Sequence, residues 1–285
     1  MKNAFSVDVE DYFQVGAFAE TISPQDWDSW TPRVVDNTKR LLDILAAVSQ
    51  PVKATFFVLG WVAEHFPRLV PDIVRQGHEI ASHGYGHELI YTLTENEFRH
   101  DVRTARKILQ DQSGQTVIGY RAPSFSMTKR TPWAHRILVE EGYTYDSSVF
   151  PIYHDLHGNP DASSDIHTIQ TESGAIIEFP LAVITRFGKN IPMGGGGYFR
   201  FFPYFVTARY LKEINRLGKP FVFYIHPWEV DPDQPRIQGA PLKSRFRHYL
   251  NLKRTADRLK RLLQDFSFLT IQDIVQPLEG FPQNE

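Results

Sequence analysis

Short apolar runs alternate along this chain with helical patterns that close on glycine, and few folds accept that order. Ala4–Val9, Ala54–Leu59, Val117–Tyr120, Ile176–Phe179 and Phe221–Ile225 read as buried strands. Between them, Val34–Val48 carries Val35, Leu41, Leu42, Leu45 and Val48 at helical spacing. Val62–Gln76 before Gly77, Pro132–Glu141 before Gly142 and Pro203–Leu217 before Gly218 repeat the theme, with glycine in the usual C-terminal position. Thr94, three residues ahead of Glu97, marks a capping box that opens a helix to about Gln110. This β–α repetition predicts an α/β fold of parallel strands with helices outside, as a barrel or partial barrel. No linker interrupts the pattern, so one domain over 1–285 is expected. The polar stretch 153–174, with Gly158 and Pro160, reads as a long loop.

Composition narrows the chemistry. A chain of 285 residues, 42% hydrophobic, suffices for one large core. The formal net charge of −2 gives no global field for nucleic acid. There is no cysteine, so a bound metal must be held by His, Asp or Glu. The N-terminus lacks the apolar run of a signal peptide, and no stretch approaches the roughly 18 apolar residues of a membrane span. A cytoplasmic location is the expectation. Lys243–Phe266 is basic, with Phe246, Leu250, Leu259, Leu262 and Phe266 suggesting one apolar stripe. It predicts an amphipathic helix docked on the barrel; membrane-surface contact is the less favoured alternative.

Five clusters fall near predicted strand ends, where parallel β/α folds carry their reactive groups. In Ser82-His83-Gly84-Tyr85-Gly86-His87, two glycines disfavour a regular helix and let a tight loop aim two imidazoles at one point. Neutral imidazole suits zinc and similar divalent ions. Asp8-Val9-Glu10-Asp11 crowds three carboxylates together, which is costly unless a cation or solvent shares the charge. Strand alternation puts Asp8 and Glu10 on one face; a turn there would bring in Asp11 instead. Arg121, before Ala122-Pro123, can pair with a carboxylate and hold it ionised. Asp146, in Tyr145-Asp146-Ser147-Ser148, can orient a histidine. His226 ends the apolar strand Phe221–Ile225 and opens His226-Pro227-Trp228-Glu229.

In this order, from Asp8 to His226, the clusters resemble the five motifs of the polysaccharide deacetylases of the NodB-homology type, carbohydrate esterase family 4. The resemblance is closest to a branch with Asp-Val-Glu-Asp-Tyr-Phe, here Asp8–Phe13, and His-Pro-Trp-Glu, here His226–Glu229. That branch is associated with bacterial exopolysaccharide gene clusters. It implies a distorted (β/α) barrel of about seven strands, with a family-specific C-terminal extension from about residue 230 to 285. The family's adjacent Asp-Asp is here spread over Asp8, Glu10 and Asp11.

The resemblance implies metal-assisted hydrolysis of N-acetyl groups on a glycan. His83, His87 and Glu10, or Asp11 in its place, would hold a divalent ion, zinc first among them. Asp8 would be the base and His226 the acid, with Arg121 orienting Asp8 and Asp146 tuning His226. Met193-Gly194-Gly195-Gly196-Gly197-Tyr198-Phe199-Arg200 lacks the ending of a phosphate loop. Its glycines allow close backbone approach, and Tyr198 and Phe199 could stack on sugars, as could Trp228. Two other functions fit less well. They are an amidase acting on a small cyclic amide or ureide, and a non-catalytic carbohydrate-binding protein.

Overall fold

The computed structural model describes residues 1–153 and 158–278. In chain order its elements are β1 (Lys2–Val9), α1 (Val34–Ala47), β2 (Thr55–Val58), α2 (Gly60–His65), α3 (Leu69–Arg75), β3 (Glu79–Ser82), α4 (Glu95–Ser113), β4 (Gly119–Tyr120), α5 (Ala134–Glu140) and β5 (Tyr145–Asp146). There follow β6 (His167–Thr171), β7 (Gly174–Glu178), β8 (Val183–Arg186), β9 (Lys189–Pro192), α6 (Gly196–Phe201), α7 (Tyr204–Arg216) and β10 (Val222–Ile225). The chain ends in α8 (Leu242–Tyr249), α9 (Leu252–Asp265), β11 (Ser267–Leu269) and α10 (Ile271–Val275).

The main sheet runs β10-β1-β2-β3-β4-β5-β7-β6, with β11 paired to β1. Every pairing in it is parallel except β6 against β7, so seven parallel strands lie in sequence along the path. Parallel bridges from Leu181 to Val222 and from Gly195 to Tyr224 lie along β10. The alternation predicts parallel strands in a barrel or partial barrel, and the seven-strand distorted barrel that the resemblance implies is the one observed.

Strand parity separates two apolar layers. Phe57, Ala81, Tyr145, Ile177, Val222 and Tyr224 form one cluster. Val9, Val58, Ile80, Tyr120, Phe223 and Ile225 belong to the larger cluster with the helices. The Thr94–Glu97 capping box is present: Glu97 N–H donates to Thr94 Oγ1 at 3.3 Å and Thr94 N–H to Glu97 Oε2 at 2.8 Å.

Three expectations change. The single helix over Val62–Gln76 is two, α2 and α3, because Pro67 lacks the N–H that a continuous helix needs. The stretch 153–174, whose residues 154–157 lie outside the described set, contains β6. The basic C-terminal helix is also two helices, broken where Asn251 takes φ 55°. Leu259 and Leu262 are buried and Phe246 is exposed, so the stripe does not run through. Among the described residues no helix is long and apolar enough to cross a membrane.

Candidate active site

The first and last of these clusters meet because β1 pairs with β10, with Val7 opposite Ile225. Asp8 lies one residue beyond that contact and His226 one residue beyond β10. The histidine loop follows β3, which reaches β1 through β2. Arg121 follows β4, next to β3. Sequence-distant groups thus gather at the C-terminal ends of adjacent parallel strands.

Arg121 is wholly buried and fixes the floor. Its Nη1 donates to Asp8 Oδ1 at 2.6 Å and to Ser6 Oγ at 2.7 Å. Its Nε and Nη2 bond the carbonyl and hydroxyl of Ser147 at 3.0 and 2.9 Å. The guanidinium lies 4.1 Å over the Phe57 ring. All five contacts act on one side chain, so its position and that of Asp8 are over-determined. Arg121 and Asp8, expected to act together, are thus in direct contact.

Glu10, His83 and His87 present three ligand atoms within 4.8 Å of one another. Glu10 Oε2 is 2.7 Å from His87 Nε2. His83 Nδ1 bonds the Arg121 carbonyl at 2.8 Å, which turns its other nitrogen toward the cluster. Burial pushes His83 down to about 4, the neutral form a metal ligand needs. Burial raises the Glu10 carboxyl, but the imidazoles of His87 and His226 outweigh it and hold it at about 2. Two neutral-capable imidazoles and one ionised carboxylate are the donor set of a divalent cation such as zinc.

Asp11 points elsewhere. Its carboxylate accepts the N–H groups of Tyr12, Arg33 and Val34 at 2.8, 2.6 and 2.9 Å, at the start of α1. Of the two candidate acids, geometry therefore gathers Glu10 with the histidines and gives Asp11 to a helix terminus.

His226 Nε2 faces Glu10 Oε1 at 3.6 Å and Asp8 Oδ2 at 4.0 Å. Its Nδ1 meets Glu229 Oε1 at 2.7 Å. Burial lowers His226, but Glu10 and Glu229 outweigh it and bring it to about 9.

Asp146 is the clear correction. It pairs with His135 Nε2 of α5 at 3.0 Å and lies beside Glu178, and among the described residues no hydrogen bond or ion pair joins it to His226. In the sheet Asp146 stands opposite Tyr120 and Glu178, on the parity that faces the helices. Burial would lower His135, yet Asp146 and Glu178 bring it up to about 9. Ser148 Oγ donates to Asp146 and accepts the Ala122 N–H at 2.7 Å. Asp146 thereby braces the loop beside Arg121.

The aromatic expectations also shift. Trp228 is only 4% exposed. It stacks between His226 and His248 and donates Nε1–H to Glu10 Oε1 at 3.3 Å, so it supports the site from behind and offers no sugar platform. Phe199 is buried against Phe223, while Tyr198 is half-buried.

Together the fold and this cluster define a (β/α)-barrel protein with a metal-competent acid–imidazole centre. Residues 27–145 match the polysaccharide deacetylase family, and residues 147–276 match a domain of unknown function, DUF3473. The chain is 34% identical over 94 residues to a peptidoglycan-N-acetylglucosamine deacetylase of Bacillus cereus, covering 33% of this chain and 31% of that protein. It is 27% identical over 147 residues to a peptidoglycan deacetylase of Helicobacter pylori, covering 51% and 48%. The chain thus spans about a third to a half of the length of these curated relatives. The fold is shared with a Mycobacterium smegmatis protein assigned to the polysaccharide deacetylases (TM-score 0.64, 21% identity, 100% of this chain and 93% of that one). It is also shared with the Puue allantoinase (TM-score 0.63, 16% identity, 99% and 92%). Residues 27–145 are thus similar to the polysaccharide deacetylases, and the chain as a whole shares its fold with these solved structures.

Proposed function

We propose that this protein is a metal-dependent hydrolase that removes N-acetyl groups from a polysaccharide or oligosaccharide, within bacterial exopolysaccharide synthesis. The observation that carries the reading is the Glu10–His83–His87 cluster beside the Arg121-held Asp8 and His226. Glu10, His83 and His87 would hold a divalent ion, which when bound would supply Lewis acidity toward a carbonyl and a water. The chain's own groups do the rest. Asp8, with Oδ1 pinned by Arg121, presents Oδ2 to take a proton. His226, with Glu229 on its Nδ1 favouring the protonated form, faces the site through Nε2, suited to protonating the departing amine. Tyr198, half-buried beside the barrel, is the aromatic assigned to the glycan.

We read residues 147–276 as part of the same catalytic body as 27–145. Supporting this, β10 pairs with β1 and delivers His226 to Asp8. The test is acetate release from N-acetylglucosamine oligomers, with metal content measured on the same samples. Chelation should abolish release, zinc should restore it, and His83→Ala and His87→Ala should lose both metal and activity. Undiminished release from metal-free protein would refute the metal reading. Ring opening of a cyclic ureide without acetate release would favour the amidase instead.

A further inference from the structure

Two sequence motifs are left without a task by the reaction above: the four-glycine run ending in Arg200, and Glu229 three residues beyond His226. The structure joins them. Glu229 Oε1 meets both the ring Nδ1 and the backbone N–H of His226, at 2.7 and 3.1 Å. Its second oxygen takes Arg200 Nε at 2.6 Å. Glu229 and Arg200 are both buried. Arg200 is itself fixed, because Nη1 donates to the carbonyls of Arg247, His248 and Leu250 at 3.0, 2.7 and 3.0 Å.

The glycines make this possible. Tyr224, two residues before His226, donates its N–H to the Gly194 carbonyl at 2.7 Å. A Cβ on Gly195 would stand 1.9 Å from the Tyr224 carbonyl oxygen, and one on Gly196 2.7 Å from the Tyr224 hydroxyl. Both glycines have positive φ, 129° and 54°. The run therefore lies flat against β10, and α6 starts from it and carries Arg200 under Glu229.

We infer that Arg200 and Glu229 are positioning residues that fix the orientation and proton placement of His226. An imidazole can rotate by half a turn and, whenever it is neutral, can carry its one proton on either nitrogen. Glu229 holds a proton on Nδ1, which leaves Nε2 directed at Asp8 and Glu10. Arg200 holds Glu229 ionised and in place, and Trp228, stacked on the ring at 5.1 Å between centroids, fixes its plane. The inference rests on the deacetylase reading for its kinetic consequence and on geometry alone for the proton's location.

Two measurements test it. In wild-type protein with 15N-labelled histidine, His226 should give an exchange-protected, downfield Nδ1–H resonance. It is identified by its loss in His226→Gln, and it should be lost in Glu229→Gln. With zinc-loaded enzyme and N-acetylglucosamine oligomers, Glu229→Gln and Arg200→Gln should lower kcat by at least about tenfold. KM and zinc content should stay within about twofold, a split that general unfolding would not give. Absence of that resonance from the wild type, or its survival in Glu229→Gln, overturns the inference; so does a variant kcat within twofold. The resonance is read in the native protein, so it decides the matter if a variant fails to fold. It also decides it if no glycan is deacetylated, which would count against the deacetylase reading alone.

Discussion

Glu79 is buried at the start of β3 and pairs with no cation among the described residues, so its ionisation carries a cost. Its carboxylate accepts hydrogen bonds from Thr55 Oγ1, from Tyr145 OH at 2.6 Å and from the Gln272 N–H of α10 at 3.1 Å. Burial dominates these bonds and pushes the carboxyl from 4.5 up to about 7. At about 1.4 kcal/mol per tenfold change in proton affinity, the rise from 4.5 to about 7 is on the order of 3 kcal/mol. The sign follows from proton counting. Between pH 4.5 and 7 the folded state holds a proton that the unfolded chain releases, so stability falls as pH rises through that window. Below it nothing is lost; above it the full cost is present. Glu79→Gln keeps the size and an acceptor for the Gln272 N–H but cannot ionise. Denaturant unfolding of both proteins at intervals from pH 4 to 8 isolates the effect, since other titrating groups cancel in the difference. The variant should gain on the wild type by roughly 3 kcal/mol between pH 4.5 and 7. A difference that stays flat with pH would refute the reasoning, and so would one that runs the other way.

Two further substitutions separate roles within the site. Arg121→Lys cannot reproduce the fork onto Asp8, Ser6 and Ser147; it should cost about 3 kcal/mol or more in denaturant unfolding and lower acetate release sharply. Asp11→Ala should cost about 1 kcal/mol through the lost N–H partners at the start of α1 yet leave metal content unchanged, whereas Glu10→Ala should lose the metal as measured by elemental analysis.

What could be read from the sequence follows from which features have a period. The strand–helix alternation, the Thr94–Glu97 cap and the glycine-bounded histidine loop are local patterns with local physical causes, and each stands in the structure. Glu10 was within reach for the same reason, because alternation from Asp8 points it to the same side. Asp146 was not. Its strand is two residues long, too short to display a parity, and only the register opposite Tyr120 and Glu178 reveals that it faces α5. Glu229 was missed although a signal existed: His-Pro-x-Glu places an acid three residues after His226, with proline starting the turn, so its side chain can return to the His226 N–H. Arg200 could not have been found this way, since its link to Glu229 needs α6 laid against β10, and only the steric emptiness of Gly195 and Gly196 hints at that contact. The motif order therefore pointed to the residues proposed to react, which the fold gathers at one place, while the groups that hold them became visible only once strand register and turn geometry were fixed.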